Sequence, residues 1–145
     1  SSLRRIASAL DIPAMLLLDD LDSKQATTIP RHKQPIVNIP ASDTVCYRIM
    51  TPLPSSEYMP ASLVLEFILL PHAQDFPSPI YHNTEEIVIL TRGEITVMQR
   101  GQPILLREGD TTTLVKNVPH LFINHGDSEA IGLSIMTPAI WSLNL

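Results

Sequence analysis

Leu3, Ile6, Ala7 and Leu10 recur at i, i+3, i+4 and i+7, the spacing of one apolar stripe on a helix. Ser1 or Ser2 is placed to cap that helix, and Asp11 with Pro13 ends it before a second short helical turn through Leu18. Helical pieces this short are unstable alone and must dock on something. Residues 19–35 are polar, mixed in sign and interrupted by Pro30 and Pro35, which predicts a linker. From Ile36 onward the period changes. Thr44–Met50, Ser62–Leu70, Glu86–Thr91, Glu94–Arg100, Pro103–Arg107, Thr111–Val115, His120–Asn124 and Ala130–Met136 are short β-rich runs. Turn signals separate them, among them Pro52/Pro54, Pro77/Pro79, Arg92-Gly93, Gly109-Asp110 and His125-Gly126. Strands at spacings of about 8–12 residues with such punctuation predict an all-β sandwich or barrel.

Composition agrees. The chain has 145 residues, 44% of them apolar, enough to bury one core plus a short extra segment. Thirteen prolines against five glycines favour stiff corners and sheet edges over a helical bundle. The longest apolar stretches, such as Ala14–Leu18 and Phe67–Leu70, fall far short of a membrane span. The polar, basic start carries no signal-peptide apolar region, so the expected location is the cytoplasm. Cys46 is the single cysteine, which excludes an internal disulfide and a cysteine-rich zinc site.

Charge divides the chain. Residues 1–35 carry five Lys/Arg against four Asp/Glu, a net of +1; residues 36–145 carry five against eleven, a net of −6. An acidic body is a poor footprint for phosphate backbones, so residues 36–145 are not expected to contact nucleic acid.

The chemistry concentrates in two stretches, Ile80-Tyr81-His82-Asn83-Thr84-Glu85-Glu86 and Asn117-Val118-Pro119-His120-Leu121-Phe122-Ile123-Asn124. On a straight strand His82 and Glu86 would lie about 13 Å apart, too far to share an ion. Asn83-Thr84 is good turn chemistry, and a bend there swings both side chains inward. With His120 from a neighbouring strand, two imidazoles and one carboxylate make a donor set for a divalent transition metal: Zn, Fe, Ni or Mn. The same residues also suit a barrel that holds no metal. His72 is a further candidate ligand, with a surface loop as its default. Tyr81, Met98 and Phe122 are candidate walls of a small-molecule cavity, and Asn124 and Glu66 candidate polar anchors. Each of these has a bland alternative in core packing, a hydrogen-bonded corner or an exposed strand face. Trp141, Ile140 and Leu143 are placed to cover an edge or a dimer interface. Nucleophilic catalysis finds no support, since Cys46 is remote in sequence from any histidine and no Gly-x-Ser-x-Gly elbow is present.

His82…Glu86…Gly93 followed by Gly109-Asp110…His120…Asn124 resembles the two motifs of the cupin family, over roughly residues 60–137. Ile80 stands at the first motif histidine, Val115 at the proline and Asn117 at the glycine. One of the four usual cupin metal ligands is therefore missing. The resemblance implies a double-stranded β-helix, the jelly-roll barrel, behind a short helical segment. Leu3–Pro13 is similar to the last helices of an Xre-type helix-turn-helix domain, a family in which a cupin often follows through a linker.

Together these resemblances imply three parts: the end of a helix-turn-helix domain at residues 1–20, a linker at 21–40 and a cupin sensor domain at 41–145. The function they imply is the effector-sensing and dimerisation domain of a DNA-binding transcription regulator. DNA would be met through helices preceding Ser1, and a small metabolite held in the barrel would favour one arrangement of a homodimer. The alternative is a metal-dependent cupin enzyme, an oxygenase or isomerase, against which stands the absence of an obvious separate general acid or base.

Overall fold

A computed structural model describes residues 26–140, and the N-terminal helical pattern, Trp141 and Leu143 lie outside the described residues. Among the described residues, a 3-10 turn at Arg31–Lys33 precedes ten strands: β1 Ile36–Asn38, β2 Val45–Ile49, β3 Leu63–Leu69, β4 Ala73–Gln74, β5 Glu85–Arg92, β6 Glu94–Gln99, β7 Gln102–Arg107, β8 Thr111–Leu114, β9 His120–Asn124 and β10 Ala130–Thr137. All pairings are antiparallel and form two sheets, ordered β1-β2-β3-β10-β5-β8 and β4-β9-β6-β7. This is the double-sheet jelly roll of the cupin fold, in which edges are shortened rather than abolished. Each of the eight runs read from the sequence becomes a strand.

Two short strands were not anticipated. β1 lies inside the stretch read as linker, and pairs Ile36 with Arg48 and Asn38 with Cys46. The β-branched pair Ile36-Val37 favours extended backbone, and Pro35 and Pro40 bound it. β4 pairs Ala73 with Asn124 at the edge of the smaller sheet.

Alternation decides what each strand buries. On β3 Leu63, Phe67 and Leu69 are buried; on β5 Val88 and Leu90; on β6 Ile95 and Val97. All of these but Leu63, with Leu106, Leu114 and Phe122, form one core between the sheets. Phe67 of the larger sheet meets Phe122 of the smaller at a ring-centroid distance of 5.4 Å, tilted by 53°. Burying each such ring contributes roughly 2–3 kcal/mol.

Several turns use left-handed backbone, Gly93 and Asn117 among them. Gly93 sits at φ +84, and a Cβ there would lie 3.2 Å from the Ala130 Cα. Asn117, at the position where the cupin motif has glycine, adopts φ +62, a conformation Asn tolerates better than most residues.

Candidate metal and ligand site

The loop before β5 and the start of β9 are tied together by main-chain bonds. Ile80 and His120 exchange both N–H···O contacts, at 2.9 and 2.8 Å, and Asn117 N–H donates to the His82 carbonyl at 2.8 Å. The chain bends at Asn83-Thr84, where the Thr84 hydroxyl donates to the Pro138 carbonyl at 2.6 Å. His82 is thereby folded back over Glu86, the first buried residue of β5. His82, Glu86 and His120 come together with donor atoms all within 4.8 Å of one another.

Glu86 is 4% exposed and both its oxygens are engaged. Its Oε1 accepts from His82 Nε2–H at 2.9 Å, and its Oε2 accepts from the Ser134 hydroxyl at 3.0 Å. His120 donates Nδ1–H to the Val118 carbonyl at 3.1 Å, which leaves a lone pair on Nε2. That Nε2 lies 3.7 Å from Glu86 Oε1. Burial lowers the pKa of His120, keeping it neutral, whereas the hydrogen bond to Glu86 raises that of His82. Two acceptors of Glu86 and His120 thus face one another at a distance a cation fits between. His82 Nδ1 is buried with no hydrogen-bond partner among the described residues. The donor set, the preset His120 tautomer and the orphaned nitrogen fit a divalent transition metal.

These three residues form part of the wall of a cavity of about 510 Å³. Apolar side chains make most of the remainder, including Ile49, Leu63, Leu65, Phe76, Phe122 and Met136. Val37, Ile39 and Pro40, from the stretch read as linker, and Ala41 just after it complete one side.

The other sequence candidates divide. Phe122 lines the cavity. Tyr81 does not: it is 66% exposed, because Ile80 and His82 flank it on the inward side of an extended segment. Met98 follows core-facing Val97 on β6 and lies outside the cavity wall. Glu66 has the opposite parity to Leu65 and Phe67, and its Oε1 pairs with Arg31 at 3.0 Å and Arg48 at 3.5 Å away from the cavity. Asn124 is buried but commits its amide to a corner, donating to the carbonyls of Leu69, Leu70 and Ser128 and accepting from Gly126 N–H. His72 is at the surface beside Asp127, 2.7 Å away, and supplies no fourth ligand. Cys46 is half-buried, and desolvation pushes its thiol pKa up.

Sequence reasoning missed Asp75 and Tyr47, which both line the cavity. Asp75 is 3% exposed, and its Oδ1 accepts from Phe76 N–H at 3.0 Å and Phe122 N–H at 2.9 Å. Burial dominates those bonds and raises its pKa to about 7. Burial likewise raises the Tyr47 hydroxyl well above its usual range, with Asp75 and Glu86 adding to the shift. Two buried titratable groups separate from the three candidate ligands therefore stand in the cavity. The signal available was slight: an Asp between Gln74 and Phe76-Pro77, beside a strand of two residues, reads as a turn.

Residues 65–136 match the cupin domain family Cupin_2. No curated protein matches the chain significantly. Similar solved structures include KdgF from Halomonas sp., 13% identical with a TM-score of 0.64 over 79% of this chain and 94% of that one. The polyketide cyclase RemF from Streptomyces resistomycificus is 14% identical, with a TM-score of 0.63 over 78% of this chain and 80% of that one. The Cupin_2 domain of an XRE family transcriptional regulator from Enterobacter cloacae is 17% identical, with a TM-score of 0.56 over 66% of this chain and 97% of that one. Such low identities carry the fold and nothing more. Residues 65–136 are a cupin domain, and the described chain has the cupin fold.

Proposed function

We propose that this domain is a small-molecule sensor, with a divalent transition metal held by His82, Glu86 and His120 and an organic ligand in the adjoining cavity. The observation that carries this reading is the position of those three side chains on the wall of a cavity of about 510 Å³. That volume suits a small metabolite. A bound metal would supply a Lewis-acidic contact for an oxygen or nitrogen of the ligand. Asp75 and Tyr47 offer polar contacts away from it, and the apolar wall takes the carbon body.

The reading as part of a DNA-binding regulator draws on the helix-turn-helix resemblance of Leu3–Pro13 and on the regulator domain among the similar structures. It has a structural support as well. Val37–Ala41 connects the N-terminal residues to the barrel and walls the cavity, so occupancy would act on the segment leading to the DNA-binding part. Only a difference in ligand affinity between two arrangements of a homodimer turns that contact into a signal. The cytoplasm is the compartment this role requires.

A metal-dependent enzyme is the second reading, favoured by Asp75 as a buried titratable group inside the cavity and by the cyclase among the similar structures. Metal analysis of protein purified without chelators, then ligand screening and turnover assays with Fe, Mn, Ni and Zn restored, separates the two. Saturable ligand binding without turnover, and a helix-turn-helix encoded just upstream of Ser1, support the sensor. Stoichiometric metal with turnover overturns it in favour of the enzyme.

A further inference from the structure

Of the cavity's charged or titratable side chains, only Asp75, Glu86, His82, His120 and Tyr47 appear, and no Lys or Arg lines it among the described residues. An anionic guest would therefore face two carboxyl groups with no Lys or Arg to offset them, and His82 is already committed to Glu86. Those two carboxyls differ in what they have left to offer. Glu86 has both oxygens engaged, by His82 and by Ser134. Asp75 uses Oδ1 twice, on two backbone N–H groups, and its Oδ2 has no hydrogen-bond partner among the described residues. The Tyr47 hydroxyl on the same cavity also has none. Asp75 is not among the residues whose donor atoms cluster within 4.8 Å, so it forms a separate polar point on the wall.

A carboxyl group 97% withdrawn from water, fixed by two amides and open on one side, is costly to ionise without a counter-charge. A ligand ammonium supplies that charge together with three donors, one of which reaches an open carboxylate oxygen. The rest of the wall, from Val37, Ile49, Leu65 and Met136 among others, is suited to a hydrocarbon chain.

We propose that the cavity takes a small primary amine with an apolar body, its ammonium held by Asp75 Oδ2. This rests on the cavity's being a small-molecule site, but it does not require the metal. The burial that lifts Asp75 to about 7 keeps it neutral in the empty cavity at mildly acidic pH and lets a cation draw it into the ionised form.

Isothermal titration of chelator-treated protein with hexylamine, 1-hexanol and hexanoate at pH 7.5 tests this. Hexylamine is expected to bind at least tenfold more tightly than hexanol, and hexanoate most weakly. Asp75→Asn preserves an oxygen for both backbone amides and should bring the amine down to the alcohol's affinity. Cobalt(II) titration of the same variant reports on His82, Glu86 and His120 separately and should be unchanged. Equal affinity for amine and alcohol, no binding of any probe, or an amine preference that survives in Asp75→Asn would each overturn the proposal. If the variant fails to fold, the amine-to-alcohol ratio of the wild-type protein still decides. An amine preference in protein that takes up no cobalt leaves the proposal standing and removes the metal reading.

Discussion

Two glutamates interrupt apolar strands in this barrel, and their surroundings are opposites. Glu66 on β3 and Glu86 on β5 both neighbour β10, paired across from Leu133 and Met136 respectively. Glu66 points away from the cavity and is paired with the guanidinium groups of Arg31 and Arg48. Glu86 is inside, matched by two imidazoles and a hydroxyl, none of which carries a fixed charge. The first arrangement is complete in itself and has no further chemistry to perform. The second is complete only when a proton or a metal ion supplies positive charge, which is the property a binding site needs. A carboxylate in an apolar run is thus uninformative until its partners are known.

The sharpest way to break the comparison is to remove one ligand. His120→Ala should weaken zinc or cobalt binding on the order of 100-fold or more while leaving the barrel folded, since a pocket-facing imidazole adds little to the core. Fluorescence competition for zinc, with circular dichroism as the folding control, measures both. Unfolding of that variant at ambient temperature would make His120 a structural residue instead.

The next largest effect is a pH dependence that comes from the cavity side. Asp75 has a folded pKa of about 7 against an ordinary value of 3.8. Because the folded value is the higher, its contribution is fully present below about 3.8 and is lost as pH rises through about 7. Denaturant titrations should therefore show stability falling by a few kcal/mol across that window, and Asp75→Asn should flatten the fall. A profile in which the variant keeps the full slope would show that another group is responsible.

The strand between the two glutamates gives a third, smaller effect. A Cβ at Gly132 would run into the Phe67 ring and come within 2.7 Å of the Ile89 carbonyl. Gly132→Ala is expected to cost about 1–3 kcal/mol in equilibrium unfolding and to loosen both carboxylate environments together. Glu66→Gln should do least, on the order of 1 kcal/mol, with metal affinity unchanged, because Arg31 is exposed and the amide oxygen can still accept from the arginines. A metal site that responded to Glu66→Gln would erase the distinction between the two glutamates.

The barrel was legible because its long strands carry β-branched and apolar residues at alternate positions, bounded by Gly and Pro. β1 and β4 escaped because three exposed residues and two edge residues leave no period to read. The meeting of His82, Glu86 and His120 was legible in residue type and in the Asn83-Thr84 bend, while the Ile80–His120 bridge that brings the segments together is a long-range pairing no local pattern encodes. Strand parity would have corrected two candidates: if Ile80 and His82 point inward, Tyr81 points out, and if Leu65 and Phe67 do, Glu66 does not. Asp75 was hidden for a different reason. Its burial comes from β9 supplying the Phe122 amide 47 residues away, so the sequence around it looks like an ordinary turn.

The most direct measurement is a zinc titration by calorimetry of chelator-stripped protein beside Glu86→Gln. The account predicts one site per chain, with affinity lost in the variant and no change in its folded signal. A wild-type chain that binds no zinc, or a variant that binds it equally well, would contradict the claim that His82, Glu86 and His120 form a metal-holding site.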